Sequence, residues 1–307
     1  MLALIVDNVD LLIKERLEKI GIKVDIKPGI SREQLLNIIG DYDILIFRGR
    51  LRIDREIIDA GTNLKILARY GVGLDNVDVE YAVKRGIAVV SAPRAPTQSV
   101  AELTIGLMLA VARRIPLLNA KVKEGEWPKG KYIGIELSGK TLGVLGFGRI
   151  GRAVAQIAKG LGMKILASDI VDVSSDVEKL GGRQVSLQEL LKESDVLSIH
   201  VPLTPDTYRL INADRLALVK DNAILINTSR GEVVDHEALL QHIDRLWGVG
   251  LDVLPEEPPK SPYLRKLITH EKVVITPHVG SETYEAMRRL AEELVLNIEE
   301  VVSRIRL

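Results

Sequence analysis

Apolar positions along the chain fall into two alternating patterns. Short, nearly continuous apolar runs occur at LALIVD (2–7), KVDIK (23–27), DILIFR (43–48), KILARY (65–70) and IAVV (87–90). Between them lie amphipathic stretches such as 11–20 and 32–39, with apolar residues at helical steps. A strand that is apolar on both sides needs cover on both sides. Strand–helix alternation of this kind therefore predicts a parallel sheet with helices on each face. The same grammar returns at TLGVLGFG (141–148), KILASD (164–169), DVLSIHV (195–201), NAILINT (222–228), GVGLDV (248–253) and KVVITPH (272–278). The chain thus reads as α/β, with two doubly wound parallel-sheet domains.

Two helical segments organise these units. TQSVAELTIGLMLAVARRIP (97–116) separates the two sets of strands. Ser99 and Glu102 match a capping box, so a helix is expected to start there, and Pro116 is expected to end it. In the segment 281–307, Met287, Leu290, Leu294, Ile298 and Val301 recur at steps of three to four and form one stripe. This helix follows a complete second unit. It packs there or returns to the first unit; periodicity alone leaves both open.

Composition narrows the functional classes. At roughly 150 residues per domain, 307 residues suggest two domains. Forty-two basic and 42 acidic side chains balance, so the basic excess that drives nucleic-acid binding is missing, and no nucleic-acid partner is expected. There is no cysteine, which excludes disulfides, thiolate metal sites and a cysteine nucleophile, and fits a cytoplasmic location. The N-terminal run carries Asp7 and Asp10 and does not resemble a secretory signal. The uncharged apolar run at 103–112 is far short of the ~20 residues that span a bilayer, so no membrane association is expected. No HExxH or other ligand spacing predicts a metal. His236, His242 and His270 read as surface residues, while His200 ends a strand and could line a cleft beside Pro202.

The strongest local motif is Gly146-Phe147-Gly148-Arg149-Ile150-Gly151, between a strand and a helix, with Asp169 ending the next strand 18 residues after Gly151. Glycines there permit a tight turn, close approach of a pyrophosphate and close helix–strand packing, and the helix N-terminus offers free N–H groups. Asp169 would accept hydrogen bonds from a ribose diol and repel a 2′-phosphate. This predicts a Rossmann domain that binds NAD. Other strand ends carry able side chains: Arg230, Asp252 with Glu257 after it, and His278. Hydride transfer from a 2-hydroxy acid needs a base for the hydroxyl proton, a cation for the carboxylate and oxyanion, and a group that orients the base. Histidine, arginine and glutamate supply these.

GFGRIG with Asp169, HVPLTPDT, NTSRGEVVD, GLDVLPEEP and TPHVGS resemble, in order and spacing, the NAD-dependent D-2-hydroxyacid dehydrogenases. The resemblance extends through RYGVGLDNVD (69–78) and SVAELTIGLMLAVAR (99–113) to nearly the whole chain. It implies Arg230, Glu257 and His278 as catalytic residues. It adds His200, Pro202, Thr207, Thr228, Asp252 and Gly280 to the cofactor site, with Asp252 on the carboxamide. It places the substrate carboxylate on the backbone of Gly71-Val72-Gly73. It also implies a flavodoxin-like substrate domain formed by 1–95 and 285–307 around a cofactor domain at 96–284, and a homodimer through the cofactor domain, partly by the helix matching 99–113.

Within the family, the sequence resembles the phosphoglycerate dehydrogenases. Arg48 and Arg69 match their phosphate-binding positions, and Arg48, Arg50 and Arg52 would share one face if the chain stayed extended. Glyoxylate, hydroxypyruvate and D-lactate reductases compete with this branch. NAD-sensing corepressors, which bind peptides, are the alternative from another class. The sequence departs from the branch in two ways. Many of its members carry a C-terminal serine-binding regulatory domain; this sequence stops at Leu307, so feedback by serine through such a domain is not expected, and Pro96 stands where many relatives carry asparagine.

Overall fold

The computed structural model describes residues 1–305. It divides the chain into two compact units, residues 1–96 with the chain from Ser281 onward, and Thr97–Gly280. The breaks fall at 96/97 and 280/281, against the expected 95/96 and 284/285; Glu282, which pairs with Arg48, lies with the first unit.

The first unit contains strands β1 (Leu2–Ile5), β2 (Lys23–Ile26), β3 (Ile44–Phe47), β4 (Ile66–Arg69) and β5 (Ala88–Val90), all parallel in the order β2-β1-β3-β4-β5. This is the flavodoxin-like order. The helix Tyr284–Ile305 returns to this sheet. Leu290, Leu294 and Ile298 of its stripe are buried with Ile13, Leu17, Ile44 and Ile66, while Met287 and Val301 flank them. Each buried leucine or isoleucine contributes about 1.5–3 kcal/mol, enough to hold the last helix on a sheet far away in sequence.

The second unit contains β6 (Thr141–Leu145), β7 (Lys164–Ser168), β8 (Arg183–Gln184), β9 (Val196–Ile199), β10 (Ile224–Asn227), β11 (Gly248–Leu251) and β12 (Val273–Ile275). The order is β12-β11-β10-β9-β6-β7-β8, all parallel. Order reverses between β6 and β9, the switch point at which Rossmann sheets bind dinucleotides.

Three local expectations are corrected. The helix after the first strand set spans Thr97–Ala112, so Ser99 is a buried helical residue rather than its cap. Pro116 lies in the first turn of the next helix, Ile115–Lys123, where its missing N–H costs nothing, and the preceding helix stops at Ala112. His236 is buried rather than at the surface: Asp235 caps its helix and the helical phase turns the imidazole inward, against the carbonyl of Val234. Burial pushes its pKa down to about 4. His242 and His270 are half-buried.

Candidate active site

The glycine loop follows β6 directly. Gly146 has φ +89°, and a side chain there would meet the His200 carbonyl group at 2.8 Å. At Gly151 a Cβ would collide with the Gly146 carbonyl oxygen, so helix and loop touch only through a glycine. Gly148 differs: the space where its Cβ would stand is open. It caps the helix Arg149–Gly160 with no side-chain hydrogen bond. An open, uncapped N-terminus of a long helix fits a pyrophosphate. Asp169, at the end of β7, accepts from the Phe147 N–H at 2.7 Å and from the Val171 N–H at 3.2 Å. Its carboxylate is thereby fixed beside the loop, where a ribose would follow the phosphates. Phe147 is buried under the loop, and Arg149 and Ile150 form the first helical turn.

The ends of β9 and β10 contribute the next groups. The His200 ring shares a 2.7 Å hydrogen bond with the Ser198 hydroxyl, and burial lowers its pKa to about 3, so the imidazole is neutral. The Thr207 hydroxyl donates to the Pro202 carbonyl at 2.6 Å, which closes the 202–207 loop. Thr228 is buried and shares a 2.8 Å hydrogen bond with Thr104.

Asp252 organises the segment that carries the histidine. Its side chain accepts from the Thr276 hydroxyl at 2.6 Å and from the N–H groups of Val279 and Gly280, both at 2.9 Å. Its backbone carbonyl accepts from the His278 N–H at 2.8 Å. These contacts hold His278 at φ +56°, a left-handed conformation that costs a non-glycine residue energy and recurs at functional sites. Asp252 is almost fully buried; burial raises its pKa against the opposing hydrogen bonds.

Glu257 and His278 form a hydrogen-bonded pair. Oε2 of Glu257 and Nδ1 of His278 are 2.8 Å apart, and Oε1 accepts from the Leu254 N–H at 3.0 Å. The carboxylate selects the tautomer with hydrogen on Nδ1 and leaves Nε2 to handle a proton. Both side chains remain partly open to solvent. The hydrogen bond that His278 donates to Glu257 holds the His278 pKa above its ordinary value, against burial. Burial would raise Glu257, but hydrogen bonds from His278 and Leu254 outweigh it and hold that carboxyl below the ordinary range.

Arg230 follows β10 in the same unit. Its Nη1 donates to the Ser229 carbonyl at 2.8 Å, and its positive charge opposes the rise of the His278 pKa. Two residues outside the sequence-based set build this loop. Asn227 is fully buried; its amide donates to the Arg230 carbonyl at 2.8 Å and accepts from the Ser229 N–H and hydroxyl. Gly231 passes so close to Leu254 and Pro255 that a Cβ would collide with their backbone. The arginine loop therefore leans on the segment that leads to Glu257. The strand-end asparagine and the glycine after the arginine, both within NTSRG, were the signals for this pair.

In the first unit, Gly71 has φ +155°, Val72 is exposed, and the Gly71 carbonyl accepts from the Ala92 N–H. Gly73 follows in the same loop. Arg69 hydrogen-bonds Asn76, whose amide donates to the Leu51 carbonyl. Arg48 pairs with Glu282 at 2.9 Å and lies 6.0 Å from the Tyr70 ring centre. Arg48, Arg50 and Arg52 do not share a face. The chain bends after β3, and Arg50 turns to Asp7 and to the carbonyls of Val6 and Ile30.

Among the described residues there is no group of three or more histidine or acidic side chains able to hold a metal ion, and no helix long and apolar enough to cross a membrane.

A Rossmann unit with this glycine loop, followed by strand ends bearing arginine, glutamate and histidine, defines an NAD-dependent oxidoreductase. Residues 105–280 match the family described as D-isomer specific 2-hydroxyacid dehydrogenase, NAD binding domain. The chain is 46% identical over 271 residues to the hydroxypyruvate reductase of Thermotoga maritima, covering 88% of each. It is 43% identical to the D-3-phosphoglycerate dehydrogenase of Methanocaldococcus jannaschii over 93% of this chain but 54% of that protein's length. The TT0316 protein of Thermus thermophilus superposes with a TM-score of 0.90 at 39% identity, over 99% of this chain and 97% of the other. The chain belongs to the D-isomer specific 2-hydroxyacid dehydrogenase family, and its cofactor is NAD.

The fixed position of Asp169 yields an expected result. Its carboxylate can accept from a ribose diol but faces a 2′-phosphate with like charge, and the next residues, Ile170, Val171 and Asp172, bring no cation. Asp169→Ala should raise KM for NADH and narrow the gap to NADPH. Equal kcat/KM of the unmodified protein with NADH and NADPH would contradict this role.

Proposed function

We propose that this enzyme interconverts D-3-phosphoglycerate and 3-phosphohydroxypyruvate, with His278 as acid/base. The observation that carries hydride-transfer chemistry on a 2-hydroxy acid is the 2.8 Å His278–Glu257 pair with Arg230 on the loop packed beside it. When bound, NAD supplies the hydride acceptor. His278 Nε2 takes the hydroxyl proton, Glu257 stabilises the imidazolium that forms, and Arg230 holds the carboxylate and the developing oxyanion. The backbone of Gly71-Val72-Gly73 also takes the carboxylate, and Arg48 and Arg69 take the phosphate through charge-assisted hydrogen bonds.

A second reading, reduction of hydroxypyruvate or glyoxylate, is favoured by the Arg48–Glu282 ion pair, which sets a carboxylate where the first reading places a phosphate. Measuring kcat/KM with NADH for phosphohydroxypyruvate, hydroxypyruvate, glyoxylate and pyruvate separates the readings. If the first holds, Arg48→Ala and Arg69→Ala each lose a charge-assisted contact of about 1.5–3 kcal/mol, roughly 10- to 150-fold in kcat/KM for phosphohydroxypyruvate. Glyoxylate, with nothing to reach that site, should be nearly untouched. Equal losses for both substrates would make these arginines structural.

The enzyme also acts, in this reading, as a homodimer through the cofactor unit. The support is a run of exposed apolar side chains, Leu109, Ile115, Val122, Trp127 and Ile133, on and after the helix Thr97–Ala112. A monomer in sedimentation equilibrium at micromolar concentration would refute it.

A further inference from the structure

We propose that Glu282 sets the choice between phosphorylated and unphosphorylated substrates by occupying Arg48. The proposal rests on the reading in which Arg48 meets the end of the substrate remote from its carboxylate. Arg48 is well placed for such a role. Its N–H is held by Asp7 at 2.7 Å, and its guanidinium lies over Tyr70, whose hydroxyl donates to the Met287 carbonyl at 2.6 Å. Glu282 accepts from Arg48 Nη2 at 2.9 Å, just before the N-terminus of the helix Tyr284–Ile305. Glu282 follows His278 by four residues in the chain.

Arg48 and Glu282 are 31% and 45% exposed, so a ligand can reach both. Exposed ion pairs of this kind are weak and open readily. The obstacle to a phosphate is what remains after opening: a dianion at Arg48 would stand beside the Glu282 carboxylate with like charge. A neutral C3 hydroxyl meets no such obstacle. It can accept from Arg48 and donate to Glu282 while the pair stays intact. Glyoxylate has no group there and is indifferent. Glu282 thus penalises phosphorylated acids specifically, at a site whose arginine would otherwise favour them.

The experiment compares kcat/KM for phosphohydroxypyruvate and glyoxylate on one preparation, so that the ratio is independent of the folded fraction. Glu282→Gln keeps the shape and removes the charge. It should raise the phosphohydroxypyruvate/glyoxylate ratio about tenfold, with hydroxypyruvate changing little. The penalty should also shrink in the unmodified enzyme as salt rises, because both groups are partly exposed. Arg48→Ala is the control. If Arg48→Ala lowers the ratio while Glu282→Gln leaves it unchanged, Glu282 is no selector and the proposal fails, though the phosphate reading stands. If neither variant moves the ratio, Arg48 does not meet the substrate and both fail.

Discussion

Replacing His278 by alanine should lower kcat by about 10²- to 10⁴-fold, the usual contribution of a positioned acid/base. The pH dependence makes the test specific. Oxidation requires neutral imidazole, so its rate should climb as pH rises through the His278 pKa. Reduction requires imidazolium and should fall over the same window. The Glu257 hydrogen bond raises that pKa above the ordinary histidine value of 6.5 by favouring the charged form. Removing the carboxylate's charge removes the bias. Glu257→Gln should therefore move both profiles to lower pH and reduce kcat, since an amide can also stabilise the wrong tautomer. Unmoved profiles would mean that the 2.8 Å contact does not control the proton, and near-normal kcat in His278→Ala would remove the histidine from the chemistry.

The sheets were legible because parallel strands are buried on both faces and their apolar runs cannot be read as anything solvated. ILIF at 44–47, VLSI at 196–199 and ILIN at 224–227 are buried at every position. The last helix was legible as a stripe, but not its destination, since a stripe records that a face is covered and not by what. Helix ends were less legible. Ser99 matches a cap by type and spacing, yet the helix Thr97–Ala112 begins two residues before it and Ser99 is buried on the face that packs.

At the candidate site, side chains with able functional groups were singled out from the sequence, while the two residues that hold the arginine loop were passed over although both stand within NTSRG. His278, Glu257 and Arg230 stand at strand ends or in the loops after them, where chemistry is expected. Asn227 holds the loop through the Arg230 carbonyl, and Leu254 and Pro255 pass against Gly231. The pairing of Arg48 with Glu282 joins residues 234 positions apart and followed only from the return of the last helix. His236 shows the same limit in reverse: its polar neighbours suggested a surface, while the phase set by the Asp235 cap buried it.

Arg230→Ala should reduce kcat/KM by about three orders of magnitude, with part of the loss in kcat. In the proposed mechanism the arginine does two things that alanine cannot. There it holds the substrate carboxylate through charge-assisted hydrogen bonds, a contribution of about 1.5–3 kcal/mol, common to ground and transition states. There it also faces the oxygen on which charge develops as the hydride moves, and loss of one such donor costs about 10²- to 10³-fold in kcat. Arg230→Lys separates the two. A lysine keeps the charge but loses the planar fork, so it should recover some of KM and little of kcat. Gly231→Ala tests the support beneath the arginine. Its methyl group has no room against Leu254 and Pro255, so the loop must shift, carrying the guanidinium away and disturbing the segment that leads to Glu257. In a variant that still melts cooperatively, kcat should fall and the pH profile should move as in Glu257→Gln. A lowered Tm with unchanged kcat and pH profile would confine Gly231 to stability and leave the position of Arg230 to its other contacts, Asn227 among them.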